Sequence, residues 1–579
     1  MPVGSQQQRK REGRWIARLP FFLTFAAIVS SAAAADSRSA TSSKRADSPP
    51  IRALPRHFST ILWGRERRLG RAGVTADDET KCPGSNQPVA VKYMPQPLDH
   101  FASNDKKWQQ HYQVNDIYFE NKTDGAVVFL MIGGEGPIGN KWVCNEAKQS
   151  NLTYMVAAKK YSARVIQVEH RFFGANKDMP DLSTDNLQYL TTEQAVADLY
   201  SFIDSYNKQE HLINPKYVAF GGSYPGTMAA WLRLVYPNAT QGNIASSAPL
   251  YPVVDFWQYA DVMERTIKAA GDDCATAVQK AFETLRSSSL TKEGREKIKT
   301  SFQLTASLES STALEDDLNN VKSAIFSSFQ GIIQYTYDGR SEDTKKGKTQ
   351  TVEHLCDIMK GTGDDLDKLY QVYTIENQYD NGTVIPFDPS YDNSIKALKQ
   401  TSYDSDAAAD RGWLWLSCNE FGWLQGTTNN GIFGDVVPLS FLKKICNDIF
   451  DNKMDAGTID QRVRKTLDTL GYPWKYNGTN VVLPNGDLDP WSSLGTNVTN
   501  NSTHTFSQIT AGAAHCSDMY APYDGEPDSL VATRMLVWGQ IHFFLSQEST
   551  WKTSAAAGVS TLQSALFFAF VSVVLYNWN

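Results

Sequence analysis

The chain predicts an α/β fold with a parallel sheet, and three stretches carry that prediction. Over residues 216–235 an apolar strand (Tyr217, Val218, Ala219, Phe220) runs into Gly221-Gly222-Ser223-Tyr224-Pro225-Gly226, and an amphipathic helix begins at once. Over 481–491 the strand Val481-Val482-Leu483 leads into a turn with two acids, Asp487 and Asp489. Over 506–518 a further strand, opening on Phe506, ends in a loop that holds His515. Loops leaving the carboxyl ends of parallel strands converge on one crevice, so these three side chains can meet there.

The first stretch reads as a nucleophile elbow. A serine hydroxyl is a weak nucleophile until it is held at an exposed turn within reach of a base. Flanking glycines permit so sharp a backbone, and the helix that follows points free N–H groups at the oxyanion of an attacked carbonyl. Pro225 stands where the common G-x-S-x-G pattern has glycine. A glycine-rich turn with a serine helix cap would read the same way, so the downstream acid and histidine decide. Serine, then acid, then histidine is the chain order of α/β-hydrolases and differs from the chymotrypsin and subtilisin orders. The expected architecture is therefore an α/β-hydrolase core.

Residues 1–35 read as a secretory signal: Arg9-Lys10-Arg11 and Arg14 precede an apolar run over 19–29, and small residues fill 30–35. Residues 36–80 lack periodicity and read as a disordered linker or propeptide, with Arg65-Glu66-Arg67-Arg68 a candidate processing site. The hydrolase core is expected over 81–254 and again over 426–548. Between them, 260–270, 274–287, 292–301 and 312–328 repeat apolar residues at spacings of three and four, the pattern of helices. That insertion, 255–425, would sit over the crevice as a helical cap, with the charged tract 339–350 as an exposed loop. Residues 549–579 hold small residues at 554–558 and an apolar tail over 562–576, a candidate GPI-attachment signal that is short for a membrane span.

The chain resembles the family of serine exopeptidases that contains lysosomal Pro-X carboxypeptidase, dipeptidyl peptidase II and thymus-specific serine protease. The resemblance rests on Gln96-Pro97-Leu98-Asp99-His100-Phe101, Gly133-Gly134-Glu135-Gly136-Pro137, Glu169-His170-Arg171-Phe172-Phe173-Gly174 and Leu190-Thr191-Thr192-Glu193-Gln194-Ala195. It continues through the elbow, Trp415-Leu416-Ser417-Cys418-Asn419-Glu420-Phe421-Gly422, Asn485-Gly486-Asp487-Leu488-Asp489-Pro490-Trp491 and Ala514-His515-Cys516-Ser517-Asp518-Met519, in family order over 95–545. It implies Ser223 as nucleophile, Asp489 as triad acid and His515 as general base. Asp489 is also the acid that leads directly into the rigid Pro490-Trp491, His504 follows a sequon-rich loop, and His170 is expected in a structural polar cluster.

The oxyanion hole would take the backbone N–H of Tyr224 and a second from Gly134 or Glu135. Trp491 is a candidate wall for a proline ring, or an ordinary core residue. The resemblance implies cleavage of peptides on the carboxyl side of proline, and the expected activity is that of a secreted Pro-X carboxypeptidase. Release of N-terminal dipeptides is the alternative within the family; an esterase or lipase, or a catalytically silent adhesion protein, are the alternatives outside it. A carboxypeptidase must neutralise a terminal carboxylate and a dipeptidyl peptidase a terminal ammonium, and the group that does so is expected in the cap.

The net charge of −7 hides an asymmetry: residues 1–80 carry 14 Lys/Arg against 7 Asp/Glu, leaving 42 against 56 for the remainder. So acidic a body argues against nucleic-acid binding. Neither zinc-ligand spacing nor a phosphate-binding loop is present, so no metal and no cofactor are expected. Seven cysteines suit an oxidising compartment and leave one unpaired. Cys516 is the expected free thiol, and Cys418–Cys446 and Cys274–Cys356 the expected pairs. A Cys516 nucleophile is set aside because adjacent side chains rarely face one another. Sequons at Asn121, Asn151, Asn238, Asn381, Asn477, Asn497, Asn500 and Asn501 point to export as a glycoprotein, to the lysosome, the extracellular space or a GPI-anchored surface form. Oligomeric state stays open, with a homodimer admitted by the resemblance.

Overall fold

The computed structural model describes residues 80–82, 88–103, 105–144, 152–379 and 381–551. The expected signal segment, the paired-basic site, Asn151 and the apolar tail lie outside the described residues. Among the described residues ten strands are formed: β1 (Ala90–Pro97), β2 (Lys107–Asn115), β3 (Val127–Ile132), β4 (Arg164–Val168), β5 (Lys216–Gly222), β6 (Gly242–Ser246), β7 (Val253–Asp255), β8 (Gly422–Leu424), β9 (Val481–Gly486) and β10 (Thr505–Thr510). Eight of them make one sheet in the order β1-β2-β4-β3-β5-β6-β9-β10. β1 and β2 are antiparallel to their neighbours, and from β4 to β10 every pairing is parallel.

Sequence explains the parallel part. β3 (VVFLMI) and β4 (RVIQV) are near-continuous apolar runs because both faces of a parallel sheet are covered. Helices α1 (Thr153–Lys160), α2 (Thr192–Gln209) and α3 (Tyr224–Val235) alternate with the core strands. Val128, Leu130 and Ile132 of β3 join one core with Phe202 of α2 and Trp231 of α3. Phe129 and Met131 point the other way, into a second core with Tyr154 of α1. The two-residue period of a strand thus divides β3 between two layers of helix.

After β7 come α4 (Gln258–Ala270), α5 (Asp272–Ser289), α6 (Lys292–Ser301), α7 (Leu314–Gln334), α8 (Val352–Lys360), α9 (Asp365–Glu376), α10 (Tyr391–Leu398) and α11 (Ala408–Leu416). The short parallel pair β7–β8 ties the two ends of this insertion together, Val253 opposite Gly422 and Asp255 opposite Leu424. α12 (Leu439–Ile449) and α13 (Ala456–Leu470) precede β9, and α14 (Asp528–Ser546) closes the second core through Val537, Ile541 and Phe544. Among the described residues no helix is long and apolar enough to cross a membrane.

Two local expectations are corrected. α7 runs six residues beyond 328, to Gln334, because Phe329, Ile332 and Ile333 continue its buried face. Within the 339–350 tract, residues 346–349 are exposed and Thr344 is buried.

Three disulfides join Cys82 to Cys144, Cys274 to Cys356 and Cys418 to Cys446, while Cys516 is free and buried. Cys274–Cys356 links α5 to α8 across 82 residues of the insertion. A bridge of that span stabilises chiefly by restricting the unfolded chain. Cys274→Ser/Cys356→Ser is expected to lower stability by about 2–4 kcal/mol in chemical denaturation. Peptide mapping without reductant should find Cys516 as the alkylatable thiol only after unfolding.

Candidate active site

β5 ends at Gly222, and Ser223 turns the chain into α3 with φ 64° and ψ −132°. Such a backbone costs a non-glycine residue about 1–3 kcal/mol and persists only where the surroundings enforce it. The enforcement is visible: the Ser223 N–H donates to the Ser246 carbonyl of β6 at 2.9 Å, and the Thr227 N–H donates to the Ser223 carbonyl at 3.0 Å. A Cβ on Gly221 would lie 2.1 Å from the Pro225 carbonyl oxygen, and one on Gly226 2.5 Å from the Ser246 oxygen. Pro225 replaces the pattern glycine at no cost in hydrogen bonds, because it lies in the first turn of α3 where no N–H is needed.

Asp489 follows β9 and caps the short turn that starts at Pro490. Its Oδ1 accepts the Trp491 N–H at 3.0 Å, and its Oδ2 faces His515 Nδ1 at 2.8 Å. Both side chains are shut off from water, Asp489 at 0% and His515 at 2% exposure. Because a carboxylate only accepts, Nδ1 carries the proton and Nε2 presents a lone pair. Among the described residues Nε2 has no hydrogen-bond partner, the state a general base needs before substrate arrives. Burial alone would lower the His515 pKa, but the attraction of Asp489 holds it well above the ordinary 6.5. Asp487, the rival acid, is exposed and instead accepts the Gly512 N–H at 2.7 Å, which locks the β9 turn to the β10 turn.

The His515 loop hangs on contacts that no sequence pattern announced. Its N–H donates to the Gln334 carbonyl at the end of α7, at 3.0 Å. The side-chain Oε1 of Gln334 accepts both Tyr259 O–H at 2.5 Å and Trp491 Nε1–H at 3.0 Å, so one residue of the insertion holds the histidine loop and the acid turn. Cys516 N–H donates to Ser247 Oγ at 2.9 Å, and Ser246 Oγ donates to Asp518 Oδ2 at 2.6 Å. Burial pushes the Cys516 thiol up from its ordinary value, which disfavours the thiolate a cysteine nucleophile would need.

Tyr224 opens α3, so its N–H has no acceptor within the helix. Its hydroxyl meets His170 Nε2 at 3.0 Å. The loop after β3 is pinned by Glu169, whose Oε1 accepts the Ile138 N–H at 3.0 Å while Oε2 accepts the Ala175 N–H at 2.6 Å. Gly134 and Glu135 are both buried on that loop. Trp491 is 1% exposed and packs among Phe256, Tyr259 and Trp423, so the ring supports the acid turn and is covered against a ligand in this state.

The sequence profile described as serine carboxypeptidase S28 matches residues 96–537. The chain belongs to that family of serine peptidases. A Caenorhabditis elegans protein named as a serine protease is 40% identical over 90% of this chain and 96% of its own. The human thymus-specific serine protease is 28% identical over 80% of this chain and 88% of its own length. The human lysosomal Pro-X carboxypeptidase is 27% identical over 79% and 88%.

Two outcomes are expected. Asp489→Asn should cut kcat about 10³- to 10⁴-fold. An imidazole acts as base only when neutral, so activity is held above the raised His515 pKa and lost as pH falls through it; in Asp489→Asn the acid limb of kcat/KM should move down. Gln334→Met keeps the backbone carbonyl but removes the acceptor for Tyr259 and Trp491. It should lower kcat about 10- to 100-fold with little change in KM, read in steady-state kinetics.

Proposed function

We propose that this chain is a serine exopeptidase that cuts peptides on the carboxyl side of proline and releases the C-terminal residue. The observation that carries the reading is the sealed Asp489–His515 pair, its free Nε2 lone pair brought by the parallel strands to the same end of the sheet as the strained Ser223. Ser223 Oγ would attack the proline carbonyl as His515 takes its proton, and Asp489 would stabilise the imidazolium. The oxyanion would be met by the Tyr224 N–H and one from Gly134 or Glu135. Collapse of the tetrahedral intermediate breaks the C–N bond, His515 returns the proton to the leaving amine, and water then hydrolyses the acyl-enzyme by the same route.

Restriction to chain ends is supported by the helical insertion, which reaches the histidine loop through Gln334 and serves in this reading as a cap that excludes folded proteins. Passage through the secretory pathway is supported by the three disulfides. It is supported too by the exposure of the asparagine at Asn121, Asn238, Asn381, Asn477, Asn497, Asn500 and Asn501.

The test is a paired digest followed by mass spectrometry, with Ser223→Ala as control. One peptide carries proline second from its free C-terminus, the other second from its free N-terminus. Loss of the last residue from the first peptide is the expected result. Release of a dipeptide from the second alone would make the enzyme a dipeptidyl peptidase. Failure to cut either, or equal cutting by Ser223→Ala, would overturn the exopeptidase reading.

A further inference from the structure

We propose that Arg340, on the loop that follows α7, binds the C-terminal carboxylate of the substrate on the leaving-group side of His515; this rests on the carboxypeptidase reading above. A general base that returns its proton to the leaving amine must have that nitrogen beside Nε2. When the leaving group is a single amino acid, its carboxylate lies about 3.5 Å from the same nitrogen. A cation that recognises it must therefore stand close to the imidazole, on a side that Asp489 does not occupy.

Arg340 meets that requirement. Tyr335 packs edge-on against His515 with ring centres 5.8 Å apart, and the Arg340 guanidinium carbon lies 3.6 Å from the Tyr335 ring centre. Those two distances place the guanidinium less than about 10 Å from the imidazole centre, within reach of a carboxylate bound between them. The aromatic face attracts the cation and fixes its plane.

Asp338 completes the mount. Its Oδ1 accepts the Arg340 N–H at 3.0 Å, and its Oδ2 faces Arg340 Nε at 3.3 Å. The Arg340 side chain is only 10% exposed, and a largely desolvated guanidinium fork is the group best matched to a carboxylate. Burial pushes the Asp338 carboxyl up to about 6, against the pull of Arg340 and of Lys141.

Glu420, buried near Tyr224, spends its Oε2 on the Thr192 N–H at 2.8 Å and the Thr192 hydroxyl at 2.6 Å, at the start of α2. Burial holds its carboxyl at about 7, which leaves little charge for a substrate amine.

The test compares kcat/KM for N-blocked Ala-Pro-Phe with a free carboxylate and for the same peptide as its C-terminal amide. Wild type should prefer the acid. Arg340→Gln should reduce that preference about 10- to 100-fold, the loss of a charge-assisted hydrogen bond, mainly through KM. Arg340→Gln leaves Asp338 without its partner, so Asp338→Asn/Arg340→Gln is measured beside it, with thermal unfolding as the check on folding. An acid-to-amide preference that survives in the folded double variant would overturn the proposal. If wild type cuts neither blocked peptide yet releases dipeptides from unblocked ones, the carboxypeptidase reading fails before any variant is made, and the role of Arg340 with it.

Discussion

The site depends on the last residue of β6 and the one after it. The Ser246 carbonyl takes the N–H of Ser223 and so holds the elbow in its strained conformation, while the Ser246 hydroxyl donates to Asp518. Ser247, itself at φ 47°, accepts the N–H of Cys516. Ser223 and His515 follow strands that are not neighbours, and β6 is what lies beside the elbow and under the histidine loop. Loss of either serine contact would let the elbow relax or the loop drift, and a misplacement of about 1 Å already costs catalysis heavily.

The insertion belongs to the same machinery. Gln334 closes a hydrogen-bonded link from α7 to His515, to the acid turn through Trp491 and to α4 through Tyr259. Here the end of α7 is tied directly to the histidine backbone.

What the sequence made legible was local. The elbow, the acid turn and the histidine loop announce themselves because glycine, proline and short apolar runs mark where strands stop, and the identity of each chemical residue is set within a few positions. Asp489 is favoured over Asp487 by the family resemblance and by the Pro490-Trp491 that follows it; in the structure Asp489 faces His515, while Asp487 accepts the Gly512 N–H. Ser246, Gln334 and Arg340 carry no such mark. Their partners lie far along the chain (Gln334 and His515 are separated by 181 positions), and a glutamine at the end of an apolar helix face looks like any helix terminus. The end of α7 is hidden from the sequence for a related reason: polar Ser327, Ser328 and Gln330 interrupt the pattern, yet all three are buried and only the fold shows it.

The tripeptide at the end of β4 contacts both segments proposed above to supply the oxyanion donors. Glu169 pins the loop after β3 through the Ile138 N–H. His170 is pushed down to about 4 by burial, so it is neutral across the physiological range. Its Nδ1 meets the Arg171 carbonyl at 2.7 Å and must be the donor there, since a carbonyl only accepts. Nε2 is then an acceptor, and the Tyr224 hydroxyl donates to it. That bond anchors the side chain of the residue whose N–H is the first candidate oxyanion donor. Arg171 turns the other way, paired with Asp198 of α2 and donating to the carbonyls of Leu98 and Tyr189. Replacing His170 with a residue that only donates would reverse the polarity at Tyr224, so the tautomer of a buried histidine, rather than its charge, links the end of β4 to the chemistry at Ser223.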